Sequence, residues 1–148
     1  MNAPSPRCTA SKPRSRRRPG FIHWPLADGT DTEILDFLDD HSRYLLACTA
    51  YRPVTGAAVS ETFLKAANRY GLPASTLTDN GLVYTSRFAG GKGCRNSFEN
   101  LLHALKITQK NGSPGHPQPR KIERFQQTLK KWLSGQPRAQ TLEDPPQL

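Results

Sequence analysis

The 148-residue sequence predicts one α/β domain, on three observations. Residues 33–39 and 44–51 are strand-like runs on either side of the polar turn Asp40-His41-Ser42-Arg43, which makes them an antiparallel hairpin. An amphipathic run over 54–70 ends in Gly71-Leu72-Pro73 and reads as a helix. It leads straight into a short apolar run at 75–77, so a βα unit lies against the hairpin sheet.

Taken in order, residues 1–19 hold four prolines, six basic groups and no acid. That composition predicts a disordered basic leader, because too little apolar surface is present to offset the entropy of ordering it. It reads either as an arm lying along DNA or as an arbitrary leader left by truncation or a frame change. Gly20-Phe21-Ile22-His23-Trp24 is a short strand, followed by a turn around Ala27-Asp28-Gly29-Thr30. Asp39 and Asp40 fall at a strand end and its turn. In the 54–70 helix, Val59, Phe63, Leu64 and Ala67 mark the inward side.

The strand at 75–77 is stopped by Asn80-Gly81, a strong turn signal. Asp79 then stands at a strand's C-terminal tip, where open α/β sheets place their ligand crevices. Residues 85–95 centre on Gly90-Gly91-Lys92-Gly93. They lack the Gly-Lys-Ser/Thr ending of a nucleotide loop and read as a flexible loop at the rim of the site. Residues 96–105 give a helix with Phe98, Leu101, Leu102 and Leu105 in register, and 107–109 one more short strand. Residues 111–119, with three prolines, are neither. From about 120 to 134 a helix carries Ile122, Phe125, Leu129 and Leu133 near one apolar face, Trp132 beside it and Glu123 in its first turn. Residues 139–148 read as a disordered tail, leaving 20–138 as the domain.

The formal net charge is +9 and the isoelectric point about 9.9. The charge is unevenly spread: residues 106–138 hold eight basic groups against Glu123 alone, while 20–105 have seven basic and nine acidic groups. A basic tail and one basic helix suit a polyanionic partner, although charge alone also fits a solubilising surface. Cys8, Cys48 and Cys94 are widely spaced, as reduced thiols are, and the four histidines lack zinc-ligand spacing. No apolar run reaches membrane-span length and no signal peptide is visible, so the expected location is cytoplasmic.

Asp79 on a strand tip and Glu123 on a helix, both facing a basic surface, suggest a divalent-metal site for phosphate chemistry. Singly, Asp79 also reads as a turn cap and Glu123 as a carboxylate favoured by the helix dipole. Arg124, Lys130 and Lys131 read either as phosphate contacts or as an ordinary solvated face.

Together, Asp39-Asp40-His41-Ser42-Arg43-Tyr44, Thr78-Asp79-Asn80-Gly81, His116-Pro117-Gln118 and Lys121-Ile122-Glu123-Arg124-Phe125 resemble, over about 21–142, the catalytic core of bacterial insertion-sequence transposases of the retroviral-integrase type. The resemblance implies a ribonuclease-H-like mixed sheet flanked by helices, and metal-dependent cutting and joining of DNA by an Asp-Asp-Glu triad. It makes Asp79 the second and Glu123 the third acid, holding Mg²⁺ or Mn²⁺. It also places Asn80, His116, Gln118, Arg120, Lys121, Arg124, Lys130 and Lys131 against DNA.

The sequence departs from this pattern at its start. Gly20 stands where the family carries its first Asp, the helix-turn-helix region usual ahead of the core is expected to be missing, and the sheet is expected to be incomplete at its first strand. Arg120 replaces a Gly in a loop one residue shorter. The expectation is therefore an N-terminally truncated, catalytically defective core fragment, forming homo-oligomers or mixed oligomers with an intact transposase. A non-catalytic DNA-binding or transposase-interacting protein is the alternative. A ribonuclease-H-type nuclease would need the same acids. If the first strand holds the defect, Gly20→Asp is expected to restore a three-acid pocket in part.

Overall fold

β-branched and aromatic residues cluster in the first half of the chain, and there they build a sheet. The structure, a computed structural model, describes residues 16–78, 84, 95–111 and 120–142. Its elements run β1 (Arg16–Pro25), β2 (Asp31–Asp39), β3 (Leu45–Tyr51), α1 (Gly56–Tyr70), β4 (Ser75–Thr78), α2 (Ser97–Ala104), β5 (Thr108–Asn111) and α3 (Arg120–Ser134). One five-stranded sheet is ordered β3-β2-β1-β4-β5. β1, β2 and β3 pair antiparallel, while β4 pairs parallel with both β1 and β5.

The expected hairpin is β2–β3. At its turn the Asp39 carboxylate accepts from the Ser42 amide at 2.9 Å and the Ser42 hydroxyl at 2.5 Å. Asp39 is thus a turn-stabilising residue.

Two boundaries differ from the sequence reading. β1 begins at Arg16 rather than Gly20, so the first strand is ten residues long and continuous with both neighbours. Arg16 and Arg17 are drawn in because backbone pairing with Ser75 and Thr76 does not depend on side-chain polarity. Pro19 is accommodated opposite Phe37 at the loss of one ladder donor. At the other end, the Ala27 amide donates to the Ala139 carbonyl at 3.0 Å, which ties the start of the expected tail to the β1–β2 turn.

Helices cover both faces. Leu35 and Phe37 of β2 join Val59, Phe63, Phe98 and Leu102 from α1 and α2 in the larger core. Ile34 of the same strand and Ile22 of β1 meet Leu129 and Leu133 of α3 on the opposite face. β2 is therefore buried on both sides over residues 34–38. Leu64, expected to face inward, is 40% exposed. The inward stripe of α1 instead follows Val59, Thr62, Phe63, Ala66 and Ala67, and Leu64 lies about 100° around the helix from Phe63.

Thr55 starts α1 by accepting the Ala58 amide at 3.1 Å, and Gly71 ends it at φ +85°. Thr55→Ala is expected to lower stability by about 1 kcal/mol. Urea denaturation checks this, and an unchanged midpoint would show that the cap contributes nothing. In α2, Asn96 and Glu99 form a reciprocal capping box.

Candidate active site

On the face covered by α3, side chains alternate along the sheet, and one polar position interrupts the apolar set. Gly20 of β1 lies directly opposite Asp36 of β2, and Asp36 lies opposite Cys48 of β3. Ile34, on the same face of β2, packs into the core beneath α3, so Asp36 points to the same helix.

α3 meets it with Gln126, whose Nε2 donates to Asp36 Oδ1 at 3.3 Å. A Cβ placed on Gly20 would stand 2.6 Å from Gln126 Nε2, 2.8 Å from Ile122 Cδ1 and 3.2 Å from Asp36 Oδ1. The Asp36 carboxylate and two α3 side chains thus occupy the space over Gly20.

Asp36 is 1% exposed, and its Oδ2 has no hydrogen-bond partner among the described residues. A buried carboxylate oxygen without a donor calls for a proton or a cation. Burial pushes the Asp36 carboxyl up to about 7, with the Gln126 hydrogen bond pulling the other way. Desolvation, then the Asp36 charge, pushes the Cys48 thiol up to about 11, although the residue itself reaches the surface.

Glu123 is exposed on α3, one turn before Gln126. Residues so spaced are neighbours on a helix surface, with Cβ atoms roughly 5–6 Å apart. Arg124, Lys130 and Lys131 are exposed on the same helix, and Arg120 and Lys121 open it. Asp79, Asn80, His116 and Gln118 lie outside the described residues. Asp79 follows in sequence directly after Thr78, the last residue of β4, which is the parallel neighbour of β1.

Among the described residues, no group of three His, Cys, Asp or Glu side chains is placed to hold a metal ion. The orphaned buried oxygen of Asp36 is a hard oxygen donor of the kind that suits Mg²⁺ or Mn²⁺. The sequence reading missed Asp36 and Gln126. A sequence-level signal existed, since Asp36 is the single charge inside Ile34-Leu35-Asp36-Phe37-Leu38 and Gln126 sits among the positions of the α3 stripe.

The integrase core domain family matches residues 20–117. The chain belongs to the integrase core domain family. Solved integrase cores share its ribonuclease-H-like α/β fold. A chain of the simian T-cell lymphotropic virus intasome in complex with PP2A regulatory subunit B56 gamma has a TM-score of 0.67 at 22% identity, over 83% of this chain. This chain spans 42% of that one. The catalytic core domain of BIV integrase gives a TM-score of 0.64 at 22% identity, covering 83% of this chain and 71% of its own. The HTLV-2 integrase catalytic core domain in complex with magnesium, in trimeric form, gives 0.62 at 17% identity, over 83% and 74%. A dimeric form of the same HTLV-2 domain is also similar. No helix among the described residues of this integrase core is long and apolar enough to cross a membrane.

Proposed function

We propose that this integrase core acts on DNA as a transposase-type strand-cleavage and strand-transfer domain of insertion-sequence origin, with Asp79 and Glu123 as its metal-holding acids. The observation that supports this most is that α3, which carries Glu123 in its first turn, packs on the first strands at Gly20 and bonds the buried Asp36 carboxylate through Gln126. A divalent ion held there would stabilise charge on the attacked and leaving oxygens of a phosphodiester. Asn80, His116, Gln118, Arg120, Lys121, Arg124, Lys130 and Lys131 would lie along the DNA backbone, where cations fix position rather than read bases.

Gly20 offers no carboxylate from the first strand, so strand transfer by this chain alone is strongly reduced. That same residue favours a second reading, a non-catalytic DNA-binding partner acting alone or in mixed oligomers with an intact transposase in the cytoplasm. Strand transfer of labelled DNA with Mn²⁺ separates the two, because only the enzyme reading requires any product.

Both readings require phosphate contacts. Affinity for duplex DNA, read by fluorescence anisotropy, is expected to fall more than tenfold between 50 and 200 mM salt, since each phosphate contact releases counterions. Affinity unchanged by salt would overturn both.

A further inference from the structure

We infer that Asp36 supplies, from the second strand, the metal-binding carboxylate that the first strand lacks at Gly20. The inference rests on the reading of Asp79 and Glu123 as metal-holding acids and names a third ligand for that site. Four observations on one spot support it. Asp36 is the register partner of Gly20, so the two backbone positions are direct neighbours across an antiparallel pair. Asp36 Oδ1 lies 3.2 Å from where a Cβ on residue 20 would stand. A carboxylate reaching from Asp36 therefore ends in the volume that a side chain rooted at Gly20 would enter.

The third observation is that Asp36 Oδ2 is buried without a partner among the described residues, leaving one oxygen able to take an ion. The fourth is the neighbouring helix: Gln126 fixes Oδ1 at 3.3 Å, and Glu123 stands one turn away on that helix. Gly20 is what makes the arrangement possible. Any larger side chain would displace Gln126 and Ile122 from the space they share with Asp36.

The competing account makes Asp36 purely structural, an acceptor that docks α3 through Gln126. The two accounts separate on Asp36→Asn, which keeps the shape and a hydrogen-bonding oxygen but removes the anionic ligand. Mn²⁺ is titrated by calorimetry into the full chain, into Asp36→Asn, and into Asp79→Asn as the probe of the underlying reading. Far-UV circular dichroism checks that each is folded. Asp36→Ser, a smaller neutral variant, is read in the same way.

Asp36→Asn, Asp36→Ser and Asp79→Asn are each expected to bind Mn²⁺ at least tenfold more weakly than wild type, while remaining folded without metal. Wild-type affinity in both Asp36 variants, with loss only in Asp79→Asn, would overturn the Asp36 assignment and leave the Asp79 reading intact. Loss only in the Asp36 variants would retain Asp36 and remove Asp79. Equal affinity in all the proteins, or no Mn²⁺ binding by wild type, would overturn both.

Discussion

Asp36→Asn is expected to stabilise the metal-free protein by about 4 kcal/mol at pH 8 and by less than 1 kcal/mol at pH 4. The Asp36 carboxyl is raised from 3.8 to about 7 by burial, against a weaker lowering by Gln126. In the unfolded chain the group ionises near 3.9, so between pH 4 and 7 the native state holds a proton that the unfolded state has released. Stability then falls as pH rises through this window, and above pH 7 the full cost of a buried anion remains. A difference of about three units amounts to about 4 kcal/mol at 1.36 kcal/mol per unit.

Among the described residues, the neighbours do not blur the window. Cys48 on β3 is pushed up to about 11 and stays a neutral thiol across it. β1 presents Gly20, and α3 presents Ile122 and Gln126, none of which titrates. Glu123 is exposed one turn along α3 and is common to both proteins. Urea denaturation of wild type and variant in chelator at pH 4, 6 and 8 checks the result. Parallel stability profiles would show that the carboxylate stays ionised at no cost. Mn²⁺ is expected to return more stability to the wild type at pH 8 than to Asp36→Asn, because stabilisation follows affinity for the native state.

Much of the fold was legible because its signals are local. Thr55 and Gly71 mark the two ends of α1, and the expected bounds of α3 match those observed. The hairpin followed from two strand-like runs on either side of a polar turn. What was not legible depends on pairing between distant strands. Gly20 departs from the family pattern by its own position, yet the carboxylate over it comes from Asp36, sixteen residues later and opposite it only in the folded sheet. Asp36 is hard to single out because β2 is buried on both faces, which removes the polar-apolar alternation that would have revealed a polar position. Gln126 was passed over for a similar reason. It occupies a core-facing position of α3 as a polar residue, so a reading of apolar periodicity alone steps across it. Arg16 and Arg17 were assigned to a leader because composition sees their charge, whereas their backbones pair with β4.

Gly20→Asp, from which the sequence suggests a partial repair, is expected to lower the stability of the metal-free protein by about 3 kcal/mol at pH 8. The first contribution is steric. A Cβ at 2.6 Å from Gln126 Nε2 and 2.8 Å from Ile122 Cδ1 is closer than real contacts allow, so both side chains must move. Both are side-chain ends that can swing, which keeps this share within the roughly 1–3 kcal/mol typical of an overfilled core. Swinging Gln126 aside leaves Asp36 Oδ1 without its donor. The second contribution is electrostatic, since a new carboxylate would enter beside Asp36 in a buried site where two such groups do not both ionise readily. Gly20→Ala adds the Cβ alone and isolates the steric share. The electrostatic share is read from a double-mutant cycle with Asp36→Asn, in which Gly20→Asp is expected to cost no more than Gly20→Ala. Urea midpoints of the five proteins in chelator decide the matter. Wild-type stability in Gly20→Asp would show that the space over Gly20 is open, and that the carboxylate opposite it leaves room for the first-strand acid.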